Sequence, residues 1–487
     1  MSFIVGRFSN RIGALSKDLS FSRIAGFSCN RAWIYIIFFN PRLLVSSLPE
    51  GMPLSALSLV SILCLAVTLI VCAFKHNTAM NFLNRRSSLA IAGTAMATGA
   101  ALWIATTHFA INNLPCMILC GVLTGTGSAL MLMQWGRVFG SIPATVSSLE
   151  SSLGYLIAAT AYLAVGLLPL LAIAVAAALL PFGSSYALRK QRATAGENET
   201  SYPGLSAIRH DPFLVKLLVG TLLIGCIAGF TGEIHAIDEP MVSSGNLVLQ
   251  FSFAAGFAPL LMLVIDFFSK RHDFGFSYRP TLVLMVFGVI MIPFSVQNAQ
   301  MAGWLVLIGY HCFDLLIWTL LADLSYRFHV SSILTFGLGR GILYLANGLG
   351  TSLGILLRLR IGAEFDFITL SKVSIVITML LIITYSFILT EKDLLSYKGV
   401  EKDGKPGGIM QSCSTIAASY SLSPREEDVM RLMVKGRSIA RIQDELYMSK
   451  GTVNTHLHHI YQKLNIPTRQ ELLDLVEKNA RMPSPRE

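Results

Sequence analysis

From residue 25 to residue 390 the chain is a succession of apolar runs, each about 20 residues long and separated by short polar breaks. A helix needs about 20 residues to cross the hydrocarbon core of a bilayer, and inside it every backbone N–H and C=O must be bonded within the segment. These runs therefore predict a bundle of membrane-spanning helices. Composition agrees, with 53% hydrophobic and only 14% charged residues. The formal net charge of +10 does not point to nucleic acid, because basic loops alone give a polytopic protein such an excess. The last hundred or so residues have an ordinary soluble composition, so two solvents are implied.

Windows of about 20 residues place spans near 25–46, 54–74, 88–108, 114–135, 144–164 and 166–187. A polar, basic loop over 188–212 follows, and then spans near 213–231, 246–268, 280–296, 302–322, 332–356 and 373–390. Asn40, Pro41 and Arg42 interrupt the first span. Loops alternate in Lys and Arg as the positive-inside rule requires, with Lys75, Arg85, Arg86, Arg137, Lys270, Arg271, Arg279 and Arg327 on one side. Arg358 and Arg360 break the alternation, either by snorkelling from a helix end or because that boundary is misplaced. The tail at 1–24 holds Arg7, Arg11, Lys17 and Arg23, and Arg31 continues the basic series. That pattern does not fit a cleavable signal peptide and predicts a cytoplasmic N-terminus. Twelve spans return the chain to the cytoplasm, so the expected location is the inner membrane with both termini cytoplasmic. The eight cysteines are scattered, mostly within apolar runs, and form no disulfide framework.

Six spans, a central basic loop and six more resemble the major facilitator superfamily, in which two six-helix halves enclose a midplane site. That family's signature between spans two and three would read roughly GxxxDRxGRR. Here only Asn84, Arg85 and Arg86 stand in that place, which counts against transport. A trace of duplication relates Trp135, Arg137, Phe139 and Glu150 to Tyr326, Arg327, Phe328 and Arg340, about 190 residues on. GLGRG at 337–341 imitates part of a dinucleotide fingerprint, but no strand precedes it. Gly337, Gly341, Gly350 and Gly354 are read instead as sites of close helix packing.

Residues 391–420 carry Gly, Pro, Ser and mixed charge without apolar period and are predicted to be a flexible linker. From 421 to 487 a four-helix domain is expected. Ser423, Pro424 and Glu426 form a capping box, Gly436 ends the first helix, and Ile439, Ile442 and Leu446 mark a second. Ser449 caps a third helix with Val453, Leu457, Ile460 and Leu464 inward, and Pro467 breaks the chain before a fourth. This segment resembles the LuxR-type helix-turn-helix through LSPRE at 422–426, Gly436, GTV at 451–453, His456, Ile460 and Lys463-Leu464. The resemblance implies that the third helix reads promoter DNA and that the domain works as a homodimer. The expected DNA-contacting residues are Lys450, Thr452, Val453, Asn454, Thr455, His458 and Lys463. Lys usually stands where this chain has Asn454, and Lys450, one turn earlier, takes over its phosphate contact. Ten Lys and Arg against eight Asp and Glu over 422–482 leave about +2, too little for tight binding by one copy. His456, His458 and His459 lack a Cys or carboxylate spaced to complete a metal shell. No metal, cofactor or catalytic set is expected, and the chain is not read as an enzyme.

Ionisable residues within spans mark function by default. Glu150, His311, Asp314 and Arg340 are the candidates for ligand binding or coupling. Asp314 and Arg340 fall at one depth, and Glu150 at a similar one, so Arg340 has two possible partners. Trp318 and Tyr344 nearby suit a small organic ligand. Together these features predict an all-α chain, a twelve-span bundle followed by a LuxR-type domain, that senses a small molecule in the bilayer and binds promoter DNA. The alternative is a major-facilitator-like transporter with a fused regulatory domain. A third possibility is that the spans only anchor the regulator.

Overall fold

The computed structural model describes residues 19–44, 55–109, 114–194, 212–235, 244–268, 274–328, 330–361, 367–390, 393–394, 406–434, 439–446 and 448–481. Its secondary structure is helical throughout these residues. The chain divides into two compact units, Met1–Asp393 and Leu394–Glu487.

Among its described residues the first unit contains twelve helices of 17 residues or more. The first six are α1 (Phe21–Phe39), α2 (Ser55–Phe74), α3 (Ser87–His108), α4 (Leu114–Phe139), α5 (Ala144–Gly166) and α6 (Leu170–Thr194). The second six are α7 (Pro212–His235), α8 (Ser244–Phe268), α9 (Phe274–Met291), α10 (Ser295–Phe328), α11 (Ser332–Ile361) and α12 (Phe367–Ile383). Among the described residues nine of these, α3 to α8 and α10 to α12, are long and apolar enough to cross a membrane. A short amphipathic helix, His76–Asn84, turns off α2 at 105°. Many hydroxyls inside the apolar helices, such as Thr68 Oγ1 to the Cys64 carbonyl (2.7 Å), bond back to the preceding turn.

The packing order repeats after six helices. α1 packs on α5 and α6, α2 on α4, and α3 on α4 and α6; likewise α7 packs on α11 and α12, α8 on α10, and α9 on α10 and α12. The halves join through the reciprocal pairs α2 with α11 and α8 with α5. The faint sequence repeat thus corresponds to a structural one, carried by helix order more than by residue identity. Large apolar side chains such as Leu171, Leu179, Val283, Ile375 and Met379 face outward, as a lipid-facing surface requires.

Two sequence expectations change here. α11 runs five residues past its predicted end, so Arg358 lies in its last turn and bonds Glu233 of α7 at 2.9 Å. The misplaced boundary, and a buried carboxylate to receive the charge, explain the break in the basic pattern. The predicted linker is also partly wrong, because Pro406–Ser419 is a helix, α13. Cys413, Ile416 and Ala417 on it are buried in the core of the second unit. Ile416 and Ala417 lie three and four residues after Cys413, a stripe too short to be noticed among the small residues around it. The parts of that linker at 391–392 and 395–405 lie outside the described residues.

Among its described residues the second unit therefore has five helices, with α14 (Pro424–Val434), α15 (Ile439–Leu446), α16 (Lys450–Leu464) and α17 (Arg469–Arg481) following α13. α13 packs on α14 and α17, and one core gathers Val429, Met430, Met433, Ile442, Val453, Leu457, Ile460, Leu464, Leu472 and Val476. The capping box forms as expected, with the Ser423 amide donating to Glu426 (2.7 Å) and the Glu426 amide to Ser423 Oγ (3.3 Å). α16 ends two residues before Pro467, at Asn465, whose φ of 52° is the left-handed conformation of a helix terminator. Gly436, expected to end α14, lies outside the described residues.

Candidate functional site

The centre of the bundle is built from four helices whose facing residues recur at helical spacings of three, four or seven. Phe27, Arg31 and Tyr35 repeat along one face of α1, and Trp318, Asp314 and His311 repeat in the opposite direction along α10. α5 contributes Tyr155 and Tyr162, and α11 contributes Phe336, Arg340 and Tyr344. Four residues rise about 6 Å, so the side chains fall into three layers.

The middle layer holds the charges. Arg340 Nη2 lies 2.5 Å from Asp314 Oδ1, Arg340 Nη1 donates to the Asp314 backbone carbonyl (3.0 Å), and Nη2 also donates to the Tyr344 hydroxyl (2.7 Å). The Tyr155 hydroxyl donates to Asp314 Oδ2 at 2.5 Å. Arg31 Nη1 stands 3.7 Å from the same oxygen. Arg340 is fully buried, and Arg31 and Asp314 are 3% and 5% exposed, so their attraction acts with little screening. The Arg31 guanidinium is stacked over the rings of Tyr155 (4.4 Å), Trp318 (5.2 Å) and Phe27 (5.3 Å).

Aromatic layers close the centre on both sides. On one side Phe27 touches Trp318 (5.0 Å), Phe139 (4.9 Å) and Trp135 (5.7 Å), and Phe336 meets Trp318 (4.9 Å). On the other, Tyr35 contacts Phe251 (5.2 Å), His311 (5.9 Å) and Tyr162 (6.3 Å). Each layer draws side chains from both halves.

Asp314, Arg340 and His311 are thus brought together, with Trp318 and Tyr344 beside them. Glu150 is not. It bonds Arg23 Nε (2.6 Å) and Nη2 (2.7 Å) and accepts from the Ser20 backbone N–H (2.7 Å), at the first turn of α1. It sits five residues before Tyr155 on α5, well over one turn nearer that end of the bundle, where the positive end of the α1 dipole favours a carboxylate. Arg31 and Tyr155 were not anticipated. The signal for Arg31 was present, a charge inside an apolar run, but it looked like the end of the basic tail.

In the second unit, α16 divides cleanly. Val453, Leu457, Ile460 and Leu464 face the core, while Lys450, Thr452, Asn454, Thr455 and His458 form an exposed face. Ser449 Oγ accepts from the Thr452 amide (3.2 Å) and caps the helix. One expected DNA contact is corrected. Val453 is completely buried, because its place in the 3.6-residue period puts it opposite the exposed face. Lys463, whose side chain stays 38% exposed, reaches Glu426 Oε2 (2.7 Å) and the Ser421 carbonyl (3.1 Å), tying α16 to the start of α14. Burial opposes ionisation of Glu426, but Lys463 and the Ser423 amide and hydroxyl outweigh it and bring the carboxyl down to about 2. His459 Nδ1 approaches the other Glu426 oxygen at 3.5 Å.

The family of bacterial regulatory proteins of the luxR type matches residues 420–476. Residues 420–476 are a LuxR-family helix-turn-helix domain. An HTH-type transcriptional regulator of Mycobacterium tuberculosis (strain ATCC 25618 / H37Rv) is 48% identical over 54 residues, which are 11% of this chain and 6% of that protein. The positive transcription regulator of virulence factors BvgA of Bordetella pertussis is 40% identical over 58 residues, 12% of this chain and 28% of its own. The chain thus spans only a small part of these relatives, and the likeness is confined to the LuxR-family domain. Over the bundle, the crystal structure of a bacterial homologue of the iron transporter ferroportin in the outward-facing state superposes on 78% of this chain and 98% of its own. The TM-score is 0.53 at 14% identity, so what is shared is the fold. A transporter-like helical bundle and a LuxR-family domain therefore occupy one polypeptide.

Proposed function

We propose that this chain is a one-component transcriptional regulator of the inner membrane. A small molecule bound at the Arg31, Asp314 and Arg340 centre alters the packing of a twelve-span bundle, and the LuxR-family domain responds in its occupancy of promoter DNA. The observation that carries this reading is the union in one chain of a buried charged centre, closed by both halves of a transporter-like bundle, with a helix-turn-helix that presents Lys450, Thr452, Asn454, Thr455 and His458 to solvent. Both termini are cytoplasmic in this proposal, since the LuxR-family domain must reach DNA. The low net charge of the domain supports binding as a homodimer. The chain acts by binding and carries out no catalysis.

Transcript profiling in the native host tests the proposal. Wild type, a Lys450→Ala/Asn454→Ala double variant and Arg340→Ala are compared across a panel of small molecules. A compound that changes transcription only in the wild type, at equal protein levels, supports the reading; a double variant with an unchanged transcriptome at every condition removes it. The ferroportin-homologue fold favours one rival, a transporter that reports flux to a promoter. In that case reconstituted vesicles accumulate the inducing compound, whereas a sensor binds it without net uptake.

A further inference from the structure

We infer that the buried centre is a receptor for a small organic anion, a monocarboxylate with an apolar body, and that Arg31 is the residue that receives its charge. This rests on the proposed sensing role and names the chemical class of the ligand.

The first support is charge balance. Two guanidiniums, Arg31 and Arg340, face one carboxylate, Asp314, and all three are nearly or wholly buried. Arg340 holds Asp314 at 2.5 Å, and Tyr155 occupies the other carboxylate oxygen at 2.5 Å. Arg31 is left with the looser approach at 3.7 Å. Other buried carboxylates of the bundle each meet a basic partner, Glu150 with Arg23, Asp323 with Arg327 and Glu233 with Arg358. At the centre the described residues leave one positive charge in excess, which is costly in a low-dielectric interior and is relieved by a bound anion.

The second support is unmet hydrogen bonding. Arg31 Nε and Nη2 are buried without a hydrogen-bond partner, as are Arg340 Nε, the Tyr35 hydroxyl and His311 Nε2. The two free Arg31 donors form a fork of the kind that takes a carboxylate in bidentate fashion. Tyr35 and His311 stand one turn along, on the side where the aromatic layer of Tyr162 and Phe251 begins. An organic acid with its carboxylate on Arg31 thus directs its apolar part against aromatic rings contributed by both halves. Such a ligand bridges the halves, as a molecule that alters their packing must.

The full-length protein, purified in lipid nanodiscs, provides the test. Thermal unfolding is followed at constant ionic strength with acetate, butyrate, benzoate and 3-phenylpropionate, and with the amide of each. At least one acid is expected to raise the midpoint by about 3 °C or more while its amide does not. Arg31→Gln is expected to abolish that shift and, without acid, to leave the midpoint unchanged or higher, because it removes the excess charge. Arg340→Gln removes the nearer cation of Asp314 and the bond to its backbone carbonyl, leaves it only the looser approach of Arg31, and lowers the midpoint. The inference is overturned if no acid shifts the wild-type midpoint, if the amides stabilise as well as the acids, or if Arg31→Gln lowers the unliganded midpoint as Arg340→Gln does. An acid that binds through Arg31 yet changes no transcript sinks the regulatory proposal and leaves the anion site standing.

Discussion

A single side chain changes its meaning with the partner it finds. Arg340 has both its Nη atoms engaged by Asp314 and Tyr344, so Arg340→Gln takes from the buried Asp314 its nearest cation and leaves only the looser approach of Arg31. The expected cost is about 3–5 kcal/mol, read from thermal unfolding of the solubilised protein. Glu426 joins a capping box to a cross-helix ion pair. Lys463 and Ser423 hold its carboxyl down to about 2 in the folded domain, below the ordinary 4.5, so the stability it lends is complete above about pH 4.5 and is lost as pH falls toward 2. Hydrogen exchange of α14 and α16, corrected for intrinsic rates, should weaken over that window, and Glu426→Gln should flatten the dependence while lowering protection at neutral pH. Val453→Ala should cost about 2 kcal/mol in domain stability. Only a direct loss of base contacts, with stability intact, would return that residue to the DNA-facing set.

At the scale of elements, α16 and α13 carry different kinds of information. The exposed face of α16 makes a local prediction: Lys450→Ala with Asn454→Ala should weaken promoter affinity about 10-fold or more and flatten its salt dependence. Electrophoretic mobility shifts at several salt concentrations measure both. α13 makes a packing prediction, since Ile416 is 1% exposed in the core of the second unit. Ile416→Asp should destabilise the LuxR-family domain by several kcal/mol, seen as lost hydrogen-exchange protection in α14 and α17. In the bundle, a Cβ on Gly350 would enter the space of the Cys226 carbonyl, and one on Gly229 that of the Asn347 carbonyl. The α7–α11 pair is close because small residues meet backbone from both sides. Gly350→Leu is expected to cost about 3 kcal/mol or more, with the protein recovered in the membrane at reduced yield.

Across the whole molecule, the repeat of packing after six helices gives two halves that meet at α2 with α11 and at α5 with α8. The charged centre and both aromatic layers lie across that division, so any rearrangement of the halves must break contacts of Phe27 with Trp318 or of Tyr35 with His311. Trp318 is buried and in contact with both layer and charge, which makes its fluorescence the natural reporter of such a change. Ligand-dependent emission from a variant retaining Trp318 as the sole tryptophan, lost in Arg31→Gln, is the expected result.

The sequence by itself determined a good deal. Apolar run length dictated a helical membrane bundle, because no other open-chain structure satisfies its backbone in lipid, and it placed each long helix while missing several ends by about two turns. Local chemistry likewise fixed the capping box, the Ser449 cap and the inward stripe of α16, since each depends on residues only a few positions apart. Depth alone put Asp314 and Arg340 at one level, two adjacent helices being simple to count along, and left Glu150 as a second candidate partner. What sequence order did not contain was lateral position. Whether Glu150 or Asp314 received Arg340, and that Arg31 from the first helix entered the same centre, depended on which helices stand side by side. The pairing of Lys463 with Glu426 and the recruitment of α13 were decided in the same way. Long-range ion pairs and a shared core are properties of the packed chain, and only the tertiary structure brings their partners within reach.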